Sequence, residues 1–162
     1  MIIVFITKIF KKSTKESTKE NSKETMKRFI RNLPGVSSYC DCLTICSSIE
    51  VEHAYPRSLL KRKLCRSDYL IANKDMHNLH KCCSILNRMK YNYLLGDNYI
   101  ADEFSGIIAR SCLYMDDEYK LQTSSTLVNA WYNFSLLYPP LENELARVKL
   151  IEEKTGKINR FV

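Results

Sequence analysis

The sequence predicts an α+β fold in which helices outnumber strands, and three observations predict it. Residues 44–51 (Thr-Ile-Cys-Ser-Ser-Ile-Glu-Val) are rich in β-branched side chains, as a strand is. From residue 100 onward, apolar residues recur at helical spacing in three separate stretches. The chain has 162 residues and is 45% apolar, enough for one domain with a core of its own.

Taken in order, the chain opens with a short apolar run, Ile2 to Ile6, broken by Thr7-Lys8. That run is too short to span a bilayer, so no stable membrane association is expected. It also lacks the marks of a signal peptide, since charge follows the apolar run and no small-residue cleavage site appears. Residues 11–25 repeat Ser-Thr-Lys-Glu in tandem and contain no apolar residue. Such a segment cannot bury a core, so residues 1–28 are expected to form a lysine-rich disordered or weakly helical tail. The folded domain is then 29–162. Pro34-Gly35 makes a turn, and the strand over 44–51 is expected to end at Glu52, closed off by Pro56. Residues 57–66 read as a loop or short helix, 75–82 as a second strand or extended turn, and 83–91 as a helix. Ile100 to Tyr114 is a helix on the spacing of Phe104, Ile107, Ile108, Cys112 and Leu113. Leu127 to Leu137 is another, stopped by Pro139-Pro140. Leu141 to Glu153 repeats the pattern with Leu145, Val148 and Ile151, with Gly156 placed as a C-cap. Trp131 and the tyrosines and phenylalanines of these helices belong to the core rather than to a base-stacking platform.

The formal net charge is +7, and it is unevenly distributed. Residues 57–90 hold nine Lys/Arg against two Asp, or +7, whereas residues 91–162 sum to −3. A focused basic patch attracts phosphates without reading sequence, although a solvated lysine face has the same composition. The seven cysteines are an odd number, so they cannot all pair within the chain. Reduced thiols fit best, which points to a cytoplasmic or nuclear setting, with secretion as the alternative. Cys40-x-Cys42-x3-Cys46 has one zinc-like spacing but no matching second pair, because Cys82 and Cys83 are adjacent.

Beside the basic stretch stand the residues that carry chemistry. Glu52 and His53 place a carboxylate next to an imidazole, and Asn87 follows Asp75 by twelve residues. An unperturbed imidazole is mostly neutral at pH 7, as a general base must be. Glu52 and Asn87 are hard oxygen donors suited to Mg²⁺ or another divalent cation. Adjacent strand residues point to opposite faces, so the strand should end or bulge at this pair. Each residue alone has a plainer account: a surface Glu-His pair, a helix-surface amide.

Glu52-His53-x-x-Pro56-x-Ser58, Asp75-Met76-His77-Asn78-Leu79, Asn87-x-x-Lys90-x-Asn92-Tyr93 and Gly106-x-x-Ala109-Arg110-x-x-Leu113-Tyr114-Met115 occur in that order. Together with Trp131, Pro140, Glu144, Arg147 and Asn159-Arg160-Phe161, they resemble the bacterial endonuclease I family over residues 48–162. The resemblance implies a ββα-metal (His-Me) finger embedded in a mainly helical single domain. It implies a Mg²⁺-dependent, sequence-nonspecific endonuclease acting on DNA, with RNA as a further substrate, and a monomer. His53 would be the general base, and Glu52 and Asn87 the metal ligands. Asp75, His77 and Asn92 would support them, Asp75 and His77 by orienting the finger through hydrogen bonds. Arg57, Lys61, Arg62, Arg66, Lys90 and Arg110 would meet the nucleic acid. Two departures stand out: Lys90 replaces an arginine and loses its bidentate fork, and Gly106-Ile107 replaces Gly-Asp. The competing readings are a nucleic-acid-binding module of the same fold with weak or no turnover, and a zinc-stabilised interaction protein.

Overall fold

In the computed structural model of the chain, the described residues are 28, 30, 32, 48–96 and 104–162. Internal contacts divide the chain into two units, 1–32 and 33–162, a boundary four residues beyond the one the tail composition suggests. In the first unit, residues 28, 30 and 32 are helical. The lysine-rich repeat, the Pro34-Gly35 turn and Cys40, Cys42 and Cys46 lie outside the described residues.

The described part of the second unit is mixed α and β and mostly helical. Strand β1 (Ile49–His53) is followed by α1 (Arg57–Lys63), α2 (Arg66–Ala72), a 3₁₀ turn (Met76–Asn78), β2 (Leu79–Cys83) and α3 (Ser84–Lys90). Then come α4 (Ser105–Tyr119), α5 (Ser125–Leu137) and α6 (Glu142–Thr155). The two strands pair antiparallel in unbroken register, from Ile49 opposite Cys83 to His53 opposite Leu79. No helix among the described residues is long and apolar enough to cross a membrane.

Local chemistry sets the boundaries. Pro56 (φ −60°, ψ 138°) is extended and leads straight into α1, whose Leu60 is buried. The stretch 75–82, expected to be a second strand or extended turn, begins as a 3₁₀ turn and continues as strand. The Asp75 side chain accepts the His77 amide at 3.0 Å and caps that turn, which delays β2 to Leu79. Asn78 then fastens the two ends of the connection together. Its Oδ1 accepts the Tyr55 amide at 2.7 Å, its Nδ2 donates to the Tyr55 carbonyl at 3.1 Å, and its own carbonyl accepts the Ala54 amide at 2.9 Å. The backbone just past His53 is thereby fixed to the backbone just before β2.

Helix α4 is the centre of the core. Ile108, Ala109, Cys112, Leu113, Tyr114 and Met115 are buried, and Trp131 of α5 packs among them with no exposed surface. The Trp131 indole donates to the Leu95 carbonyl at 2.7 Å, so the large apolar ring is buried with its one polar atom satisfied. Helix α6 ends as expected, with Gly156 in the left-handed conformation (φ 72°) and its amide bonded to the Glu152 carbonyl at 2.7 Å. Gly106 has a different role. A side chain there would run into the Tyr138 carbonyl oxygen, so α4 and the end of α5 meet only because residue 106 has no Cβ.

Arg110 was expected at the surface facing nucleic acid, and the structure corrects this. Its side chain is buried, with Nε and Nη2 bonded to both oxygens of Glu144 at 2.8 and 2.5 Å. Nη1 donates to the carbonyls of Tyr138 at 2.7 Å and Ser135 at 3.2 Å. A guanidinium committed on three sides inside the fold is a tie between α4, α5 and α6 and reaches no external phosphate.

Asp75 and His77 build the corner where the 3₁₀ turn, α4 and the C-terminal segment meet. Asp75 Oδ2 accepts from Tyr119 at 2.6 Å, Lys157 at 2.7 Å and Tyr114 at 3.0 Å. His77 Nε2 donates to the Lys157 carbonyl, an acceptor only, at 3.0 Å. His80 Nε2 lies 2.8 Å from Ser111 Oγ. Burial holds the pKa of His77 below its ordinary value and that of His80 well below it. Both histidines are therefore harder to protonate in the fold than in the unfolded chain. As pH falls below about 6.5, the unfolded state binds protons that the native state does not. Stability should then drop by up to about 1.4 kcal/mol per pH unit for each histidine whose pKa the fold lowers, His53 included. Urea unfolding at pH 7.5 and 5.5 measures this. An unchanged midpoint would mean that the fold lowers none of these pKa values.

Candidate active site

The hairpin has two faces, and the register assigns its side chains to them. Glu52 lies opposite His80 and Glu50 opposite Cys82, so these four share one face. Helix α3 follows β2 without a break and returns over the same side. Lys90 in its last turn donates to Glu52 Oε1 at 2.8 Å and to the His53 carbonyl at 3.1 Å. Asn87, one turn earlier, donates from Nδ2 to Glu50 Oε2 at 2.7 Å.

Lys90 was expected to meet nucleic acid. Its side chain is 3% exposed and its ammonium is committed to Glu52 and the strand end, so it is an internal counter-ion. In the last turn of α3, Arg88 and Met89 are exposed, whereas Lys90 is turned onto the end of β1. A lysine buried there requires a carboxylate partner.

His53 is the last residue of β1, where the chain turns into Ala54 and Tyr55. Its Nε2 lies 3.0 Å from the Asn73 carbonyl. A carbonyl can only accept, so the proton sits on Nε2 and the lone pair on Nδ1. Burial lowers the imidazole pKa to about 4, with the positive charges of Arg57 and Lys90 adding to the effect and the Asn73 hydrogen bond opposing it. The ring is therefore neutral and oriented, with a basic nitrogen that makes no hydrogen bond to any described residue.

The oxygen donors on the other side of the strand suit a hard cation. Glu52 keeps Oε2 outside its pair with Lys90, Asn87 keeps Oδ1, and Glu50 stands beside them on the same strand face. The neighbouring sulfur is unsuited to soft-metal chemistry, because burial raises the Cys82 thiol to about 12 and keeps it protonated. Among the described residues, no group of three or more His, Cys, Asp or Glu is arranged to hold a metal. The donor set fits an ion held by a few protein oxygens and several waters, as Mg²⁺ prefers, and not a closed zinc cage.

Of the remaining expected cations, Arg57, Lys61, Arg62 and Arg66 are exposed on α1 and α2. Asn92 is exposed on the turn after α3. Cys83 is disulfide-bonded, whereas Cys65, Cys82 and Cys112 carry free thiols, so the chain is not fully reduced as its composition suggested. Three residues outside the expected site set shape the site. Glu50 was legible in principle, lying two residues before Glu52 on the same face. Asn78 follows Asp75 in a turn-forming Asp-x-x-Asn spacing. Asn73 acts on His53 through a backbone carbonyl, which leaves no mark in the sequence. No protein-family model matches the chain.

Proposed function

We propose that the chain is a Mg²⁺-dependent, sequence-nonspecific endonuclease that hydrolyses phosphodiester bonds of DNA, with RNA as a further substrate, through a ββα-metal finger formed by β1, β2 and α3. The observation that carries this reading is the His53 imidazole, neutral and oriented by the Asn73 carbonyl with Nδ1 available to accept a proton. The order of the three elements and the oxygen donors on the hairpin support it. So do the exposed arginines of α1 and α2, which would draw the phosphate backbone toward that end of the hairpin.

In this reaction a water oxygen bonds to phosphorus while its proton passes to His53 Nδ1. The bond to the leaving sugar oxygen breaks, and that oxygen takes a proton from solvent. Glu52 and Asn87 would hold the cation, whose chemistry is to polarise the phosphoryl group and neutralise the leaving oxygen. Lys90 positions Glu52 and the strand end. The same Lys90–Glu52 pair favours the second reading, a binding module without turnover, because the ammonium already neutralises one of the proposed ligands.

Supercoiled-plasmid nicking with Mg²⁺ or with EDTA separates the two. Turnover requires nicking that EDTA abolishes, whereas a gel shift without nicking at any Mg²⁺ concentration leaves the binding module. In an active enzyme, Glu52→Ala and Asn87→Ala should each raise the Mg²⁺ concentration for half-maximal rate by about tenfold or more, each having lost one oxygen ligand from a site with few. An unchanged titration in Asn87→Ala would remove it from the ligand set.

A further inference from the structure

We propose that Arg57 is the cation that holds the scissile phosphate beside His53, and that Asn73 is the positioning residue that aligns the two; this rests on the nuclease reading above. Asn73 engages both groups at once. Its backbone carbonyl takes the His53 Nε2 proton at 3.0 Å, and its side-chain Oδ1 takes the Arg57 Nε proton at 2.9 Å. Asn73 is itself fixed at the end of α2, with its amide bonded to the Tyr69 carbonyl at 2.9 Å. The end of β1, the first residue of α1 and the C-cap of α2 are thus joined through one residue.

The contact uses the inner edge of the guanidinium and leaves the outer one. Only Nε is bonded to Asn73, so the Nη1/Nη2 edge, the pair of parallel donors that matches two phosphate oxygens, is open. The side chain is exposed, so the phosphate has access to it. Lys61, Arg62, Arg66 and Lys74 are also exposed, but Arg57 is the cation whose side chain is bonded to the residue that orients His53, and other cations of the fold have partners of their own. Lys90 pairs with Glu52, Arg110 with Glu144, Arg88 donates to the Ser84 carbonyl of its own helix, and Lys63 donates to the Leu121 carbonyl. A guanidinium held before substrate arrives loses little freedom on binding and needs no rearrangement as charge develops on the phosphate.

The test compares wild type, Arg57→Ala, Arg57→Lys, Asn73→Ala and the Arg57→Ala/Asn73→Ala double variant on supercoiled plasmid, with kcat and KM measured separately. Arg57→Ala should lower kcat by about 10²–10³ with a much smaller change in KM, the usual cost of one preorganised donor at the reacting group. Guanidinium ion added to the buffer should restore part of that rate, and Arg57→Lys should restore less than half of it. Asn73→Ala keeps the backbone carbonyl and loses only Oδ1, so its kcat should fall by about tenfold. The double variant should be no slower than Arg57→Ala, because Asn73 would act on the phosphate only through Arg57. An active wild type whose Arg57→Ala kcat stays within about twofold, or a loss that guanidinium does not relieve, overturns the assignment. A wild type that does not nick with Mg²⁺ overturns the nuclease reading and this assignment with it.

Discussion

His53→Ala should reduce the nicking rate by about 10²–10⁴ while leaving DNA retention in a gel shift near that of wild type. The two halves of this expectation have separate physical grounds. On the proposed mechanism, the substitution removes the group that takes the water proton, and no second imidazole can substitute. His77 and His80 are wholly buried, and their Nε2 atoms are engaged by the Lys157 carbonyl and Ser111. On the nuclease reading, retention would depend on the exposed arginines of α1 and α2, which the substitution does not touch. The pH profile gives an independent check. A base must be neutral to work, so rate falls as pH drops through its pKa. With the His53 pKa lowered to about 4, the acid limb of kcat/KM should lie near pH 4, well below the ordinary histidine range. An acid limb near 6.5 would mean a solvated imidazole in the working enzyme, and cleavage above about a tenth of wild type in His53→Ala would remove it from the mechanism.

How much of this was legible in the sequence varies with the physical origin of each feature. Helix α6 could be read to within two residues at each end, because an apolar stripe and a C-terminal glycine are both local signals. Helix α4 runs five residues past its expected end. Asp116, Asp117 and Glu118 interrupt the apolar stripe there, while the last turn is held from outside by Tyr119 on Asp75. Helix α2 went unseen because it has only seven residues, buries only Ala72 and exposes Leu70 and Ile71, leaving no periodic face. The site divides in the same way. Glu52, His53 and Asn87 announce themselves by residue type, and β1, β2 and α3 bring their backbones onto one hairpin and its helix. Their partners do not: Lys90 and Glu52 are far apart in sequence, and the Asn73 carbonyl has no residue signature. Arg110 was misread for the same reason. An arginine on a helix reads as a surface cation until its carboxylate, 34 residues away, is seen beside it.

That pair sets the second large effect, which concerns stability rather than rate. Glu144→Ala should destabilise the fold by about 3–5 kcal/mol, because it leaves the Arg110 guanidinium buried without its counter-charge. This is a large part of the roughly 5–15 kcal/mol that holds a typical domain together. In a thermal scan it corresponds to a fall of about 2–4 °C per kcal/mol, or roughly 10–15 °C in all. Replacing both partners, as in Arg110→Met/Glu144→Leu, removes the charges together and should recover part of the loss. It should not recover all of it. Arg110 also satisfies the Tyr138 and Ser135 carbonyls at the end of α5, and Met leaves those two acceptors unpaired in a place where α4 is already packed closely enough to require Gly106. The expected order of stability is therefore wild type, then the double variant, then Glu144→Ala. Urea unfolding of the three proteins reads that order directly. A Glu144→Ala protein within about 1 kcal/mol of wild type would show that Arg110 finds water when its partner is removed, and that the tie between the three helices is made by apolar packing alone.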